Sequence, residues 1–68
     1  IMFTPGATTI AAGAVLRFTP NGPHNMTSDT GAFATTTSQT ACLRFNEPGS
    51  YPFHCTVHAT MTGTVTVQ

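Results

Sequence analysis

Charge is scarce along this chain. Only 6% of the 68 residues are charged, no lysine is present, and the formal net charge is zero. The charged residues are Arg17, Arg44, Asp29 and Glu47. Nucleic-acid binding relies on several Lys or Arg side chains that neutralise phosphates, so this composition argues against a nucleic-acid partner. It also argues against a docking surface that is steered by long-range charge.

Long apolar runs and carboxylates are also few. No run reaches the roughly 18 apolar residues of a transmembrane helix, so no membrane span is predicted. No basic segment followed by an apolar one opens the chain, so we expect a mature or trimmed domain without a signal peptide. With two acidic residues there is little material for general acid and base work, and we predict that the chain is not an enzyme. A thiol enzyme that pairs Cys55 with His24 or His58 is the catalytic alternative, but it leaves Met61 unexplained.

The remaining composition is typical of one small all-β domain, which we place at residues 1–68. Thr and other β-branched residues occur in short runs separated by Gly and Pro, and no segment has helical spacing. The predicted strands are Ile1 to Thr4, Thr8 to Ala11, Ala14 to Thr19, His24 to Ser28, Thr40 to Phe45, Ser50 to Cys55 and Gly63 to Gln68. Residues 32–38 are expected to form a long loop or an irregular edge. A core of this size is only marginally stable, so a bound metal would also stabilise the fold.

Alternation within the predicted strands indicates which side chains face the core. If residues 46–50 are the loop of a hairpin, three inward-facing pairs are expected across it. These pairs are Phe45 with Tyr51, Leu43 with Phe53, and Ala41 with Cys55. By the same rule Leu16, Phe18, Val65 and Val67 face inward, whereas Val15 and Arg17 face outward. Because Cys42 faces away from Cys55, a disulfide would have to cross the sheet, and we predict two free thiols with Cys42 exposed.

Three residues of metal-ligand type lie close together near the C-terminus. Cys55, His58 and Met61 have the spacing Cys-x2-His-x2-Met, between two segments that alternate like strands. A blue-copper site uses two imidazoles, one thiolate and a weak axial Met, so one imidazole is missing from this loop. His24 lies far upstream, in Pro-His-Asn. Zinc fits less well because Met is a poor fourth ligand, and binuclear copper or iron-sulfur sites need more Cys than the chain offers.

In these motifs the chain resembles the cupredoxin family, the small blue-copper proteins that include plastocyanin, pseudoazurin and amicyanin. Ala-Gly at 12–13, Pro-His-Asn at 23–25, Pro-Gly-x-Tyr at 48–51 and the Cys-to-Met loop occur in the family's order and span nearly the whole chain. The short interval from His58 to Met61 is most similar to that of amicyanin. The resemblance implies a small Greek-key β-sandwich whose first strand is missing or shortened. It also implies copper ligands at His24, Cys55, His58 and Met61.

The function that this resemblance implies is electron transfer by a mononuclear type 1 copper site, with one copper per chain cycling between Cu(I) and Cu(II). It further implies redox partner proteins that dock near His58, a hydrogen bond from Asn25 toward Thr56, and an extracytoplasmic location, periplasmic or extracellular. The alternatives are copper storage or delivery, a domain of a larger copper oxidase, and a metal-free β-sandwich. An exposed edge strand or Cys42 would allow self-association.

Other residues of ligand type are expected to have different roles. Strand alternation points His54 away from Cys55, so we predict a surface or edge histidine there. Met26 and Met2 are predicted to lie in the core or around the site, and not to bind the metal.

Overall fold

The computed structural model describes residues 6–68. These residues form six strands, which are β1 (Ala7–Ile10), β2 (Ala14–Phe18), β3 (Thr27–Ser28), β4 (Ala41–Phe45), β5 (Gly49–His54) and β6 (Thr62–Val67). None of the described residues lies in a helix, so none belongs to a helix long and apolar enough to cross a membrane.

The six strands form two sheets. One sheet has the order β1-β6-β5-β3, and the other pairs β2 with β4. β1 runs parallel to β6, and the other strand pairs in the described part of the chain are antiparallel. Side chains from both sheets meet in one core, whose buried members are Met26, Phe45, Phe53, Cys55, Met61, Val65 and Val67. The predicted small all-β sandwich is confirmed.

The bounds of five predicted strands are confirmed to within one residue, for β1, β2, β4, β5 and β6. The strand predicted at His24 to Ser28 is shorter, because Met26 forms hydrogen bonds with Thr35 of the following loop. The Met26 N–H donates to Oγ1 of Thr35 over 2.8 Å, and the Met26 carbonyl oxygen accepts from the N–H of Thr35. Residues 32–38 form the predicted irregular edge, with a single bridge from Ala34 to Thr27. The strand predicted at Ile1 to Thr4 lies outside the described residues.

The predicted hairpin between β4 and β5 is wrong. Phe45 of β4 lies opposite Ala14 in one sheet, whereas Phe53 of β5 lies opposite Gly63 in the other. Alternation specifies which face of a strand is buried, but two strands with inward apolar faces can either pair side by side or face each other across a core. Here they face each other, and the rings of Phe45 and Tyr51 meet edge to face with centroids 5.2 Å apart.

The predicted inward and outward faces of the strands are confirmed, and so are the two free thiols. Leu16 and Phe18 pack against the core, and Val15 and Arg17 of the same strand are exposed. Cys42 is exposed on the outer face of β4, opposite Arg17. Cys55 is fully buried directly after β5, a strand of the other sheet, and both thiols are free.

Gly63 provides a test of how closely the sheet packs on the core. A Cβ atom at this position would overlap the Phe53 ring and lie 2.8 Å from the carbonyl oxygen of Gly6. That carbonyl also accepts a hydrogen bond from the N–H of Thr64, so the backbone there has little room to move. We expect Gly63→Ala to lower the free energy of unfolding of the metal-free protein by about 1–3 kcal/mol, measured by urea titration.

The matched control is Thr66→Ala, which changes an exposed residue of the same strand. Its expected effect is about 0.5 kcal/mol or less, the usual range for surface substitutions. Equal effects of the two substitutions would show that Gly63 is not tightly packed.

Candidate metal centre

The predicted ligands His24, Cys55 and His58 come from two segments of the chain and meet at one end of the sandwich. Cys55 follows β5 directly, His58 lies in the loop between β5 and β6, and His24 lies between β2 and β3. The ligand atoms that these three residues offer all lie within 4.8 Å of one another. The Cys55 side chain has no exposed surface, and both histidines are half-buried. Two imidazoles and one thiol are therefore within reach of a single ion.

Two backbone hydrogen bonds close the loop that carries Cys55 and His58. The N–H of Met61 donates to the carbonyl oxygen of His58, and the N–H of Cys55 donates to the carbonyl oxygen of Met61, each over 2.9 Å. The loop therefore returns to its own starting point before β6 begins. Met61 is buried at its base, with 5% of its surface exposed, and belongs to the core cluster.

The position of His24 is set by its backbone neighbours. Its N–H donates to the carbonyl oxygen of Gly22 over 2.8 Å, and its carbonyl accepts from the N–H of Ser38 over 3.0 Å. Gly22 has a φ of 121°, and a Cβ atom there would lie 3.4 Å from Nε2 of His24. The backbone conformation therefore favours glycine, whereas a Cβ atom there would be in ordinary van der Waals contact with the ring. The rings of His24 and His58 lie with centroids 5.0 Å apart at an angle of 48°.

Both imidazoles present a buried nitrogen without a partner. Nδ1 of His24 and Nδ1 of His58 have no hydrogen-bond partner among residues 6–68. An unsatisfied buried polar atom is destabilising, and native proteins contain few of them. A metal ion accepts the lone pair of a neutral imidazole nitrogen, so a bound metal would satisfy both atoms. The residues present therefore fit a metal that prefers nitrogen and sulfur ligands.

The surroundings of Cys55 favour its thiolate form. Burial raises the pKa of the thiol, but backbone N–H groups of Asn25, His58 and Val57 donate to the sulfur and outweigh burial. The pKa consequently lies below its ordinary value. Thiolate is the form that binds metals, so the local backbone supports metal binding at this sulfur.

Asn25 joins the segments that carry the candidate ligands, and its predicted bond to Thr56 is confirmed. Its Nδ2 donates to Oγ1 of Thr56 over 2.7 Å, and its Oδ1 accepts from the N–H of Thr56 over 3.2 Å. Sequence reasoning missed two further contacts of this amide: Nδ2 also donates to Oγ1 of Thr37, and Oδ1 also accepts from the hydroxyl of Thr27. The Thr27 contact is local, since the two residues are two positions apart, whereas no local motif indicates the Thr37 contact, because Thr37 comes near Asn25 only through the fold of an irregular loop.

The residues that were expected not to bind the metal lie elsewhere. His54 is 35% exposed, and its Nδ1 lies 2.5 Å from Oδ1 of Asp29 on the surface. Its prediction as a surface histidine is confirmed. Met26 is 2% exposed and belongs to the core, as predicted. Met2 lies outside the described residues.

The fold and the donor set together define a class of protein. Two imidazoles and one buried thiolate, with a Met in the same loop, at one end of a small β-sandwich are the ligand types of a mononuclear blue-copper centre. The sequence profile of the copper binding proteins, plastocyanin/azurin family, matches residues 1–68. The chain belongs to this copper-binding family, which confirms the resemblance to cupredoxins and copper as the cofactor.

Individual relatives agree with this assignment. The chain is 35% identical to plastocyanin from Prochlorothrix hollandica, over 98% of this chain and 63% of that protein. It therefore spans less than two thirds of the length of that relative. Among solved structures, a mutant fern plastocyanin is 28% identical with a TM-score of 0.81, over 98% of this chain and 88% of that one. Pseudoazurin from Hyphomicrobium denitrificans is 25% identical with a TM-score of 0.85, over 98% and 62%.

The contribution of Asn25 can be measured without any metal. Asn25 is 3% exposed, and its removal leaves partners without their hydrogen bonds. We expect Asn25→Ala to lower the free energy of unfolding of the metal-free protein by about 1–3 kcal/mol in a urea titration. Asn21→Ala is the control, because Asn21 is exposed and its side chain makes no hydrogen bond within residues 6–68. A loss no larger than that of the control would contradict the role assigned to Asn25.

Proposed function

We propose that this chain is a mononuclear type 1 copper protein that transfers one electron at a time. The observation that carries the proposal is the convergence of His24, Cys55 and His58, with ligand atoms within 4.8 Å of one another. The two unpartnered Nδ1 atoms support it. When bound, one copper per chain would supply the change between Cu(I) and Cu(II) that the function requires.

Each proposed ligand has a distinct role. Cys55 would hold the copper through its thiolate, and His24 and His58 would hold it through imidazole nitrogens. Met61 would supply its thioether as a weaker fourth ligand, from a buried position that its backbone hydrogen bonds to His58 and Cys55 hold in place. Four protein ligands leave no position for a substrate, so these residues favour electron transfer over catalysis.

The chain's own hydrogen bonds favour rapid electron transfer. The Cys55 loop is closed by backbone bonds, His24 is held at its N–H and its carbonyl, and Asn25 joins the two regions. None of these bonds depends on a metal. Ligands that are fixed by the protein stay near the same positions in both oxidation states, so little rearrangement accompanies the transfer.

The surface beside His58 is suited to an apolar, transient partner. Val57 is 49% exposed, and the neighbouring Ala59 and Pro23 are also exposed. We infer that a redox partner protein docks there and that the electron passes through the half-buried ring of His58. The chain carries few charges, so this association should depend only weakly on salt.

The proposal extends to the location and the self-association of the chain. An extracytoplasmic location, periplasmic or extracellular, suits the family and the uncharged composition. Cys42 is exposed, so in an oxidising compartment it is available for a disulfide between two copies of the chain. Neither feature involves the proposed ligands.

The ligand assignment is tested by comparing the two cysteines. After one equivalent of Cu(II), the unchanged chain should show an intense visible band from the bond between copper and the Cys55 thiolate. We expect Cys55→Ser to abolish the band and Cys42→Ser, the matched control, to retain it fully. A band that survives Cys55→Ser, or that is lost in Cys42→Ser, would contradict the assignment.

The same samples separate electron transfer from copper storage. The colour should disappear on chemical reduction and return on reoxidation, with copper retained throughout a desalting step. Copper that dissociates on reduction would instead favour storage or delivery.

A further inference from the structure

A turn at residues 36–39 packs against the segment that carries His24. The N–H of Gln39 donates to the carbonyl oxygen of Thr36 over 3.2 Å, which closes the turn. Ser38 has a φ of 67°, a conformation that non-glycine residues seldom adopt and that surrounding contacts must maintain. The Ser38 N–H donates to the carbonyl oxygen of His24. The turn therefore fixes the backbone of one proposed ligand.

The same turn presents the Thr37 hydroxyl to Asn25. The Asn25 amide has two N–H groups, and Oγ1 of Thr56 and Oγ1 of Thr37 accept one each, over 2.7 and 3.0 Å. Its oxygen accepts from Thr27 and from the N–H of Thr56. The amide is thus fully satisfied, and because it is 3% exposed, water has little access to replace a lost partner.

We propose that Thr37 is a positioning residue for the copper site and acts through Asn25. This inference rests on the proposed function. The N–H of Thr56 can only donate and therefore holds the amide oxygen of Asn25, while the Thr37 hydroxyl accepts from an N–H of the same amide and restrains its rotation. Thr56 follows Cys55 directly, so the two hydrogen bonds between Asn25 and Thr56 join the segment of His24 to the residue next to the thiolate. Loss of the hydroxyl frees the amide to turn and loosens the thiolate relative to His24.

The experiment replaces the hydroxyl without changing the shape of the side chain. Thr37→Val removes Oγ1, Thr37→Ser retains it, and Thr36→Val is the matched control. Thr36 is exposed, and its side chain makes no hydrogen bond in the described part of the chain. Cu(II) affinity is measured by competition with a chelator, and the visible spectrum is recorded for each variant.

We expect Thr37→Val to weaken Cu(II) binding about tenfold, the lower end of the range for groups that hold metal ligands in place. A shifted visible band should accompany this loss. Thr37→Ser and Thr36→Val should both match the unchanged chain. Affinity and spectrum unaltered in Thr37→Val, or altered equally in Thr36→Val, would overturn the proposal.

A second measurement uses the metal-free, unchanged chain and does not depend on any variant. Both side-chain N–H protons of Asn25 should exchange with water more slowly than those of the exposed Asn21, observed by NMR. Exchange at the rate of Asn21 would overturn the inference even if the copper site is correct. Conversely, a chain with protected Asn25 protons but no visible band with Cu(II) would contradict the proposed function and leave the Thr37–Asn25 contact intact.

Discussion

The buried amide of Asn25 is the interaction on which the arrangement of the site depends. A buried amide must have all its hydrogen bonds satisfied, and the partners of Asn25 lie in its own segment, in the turn at 36–39 and in the loop after β5. The hydrogen bonds of the Asn25 amide therefore bring those three segments together. The convergence of His24, Cys55 and His58 is thus a property of the folded chain itself, and it does not need an ion to draw the ligands in.

The rest of the sandwich provides rigid support for this junction. Cys55 and Met61 are both ligand candidates and members of the hydrophobic core, so the site lies directly on the packed interior. Strands β5 and β6 flank the loop that carries them, and Gly63 lets the Phe53 ring pack closely on β6. In a chain of 68 residues the core and the candidate site therefore share Cys55 and Met61, and copper binding should also stabilise the fold.

Local patterns in the sequence predicted the local features of the structure well. Alternation predicted the buried faces, and the Cys-x2-His-x2-Met spacing with an upstream His24 predicted residues that the fold brings together. Copper ligation by these residues, Met61 included, stays a prediction. The pairing of β4 with β5 was predicted wrongly. Two strands with inward apolar faces show the same alternation whether they lie side by side in one sheet or in two sheets that face each other. Thr37 was missed because its bond to Asn25 joins two irregular segments, for which no periodicity exists.

If hydrogen bonds of the chain fix the ligands in place, the protein holds the same ligands around copper in both oxidation states. X-ray absorption at the copper edge, recorded on the oxidised and the reduced protein, tests it most directly. We predict one short copper–sulfur distance and two copper–nitrogen distances in both states, with little change between them. A nitrogen ligand lost on reduction, or a second short copper–sulfur distance in either state, would contradict the account.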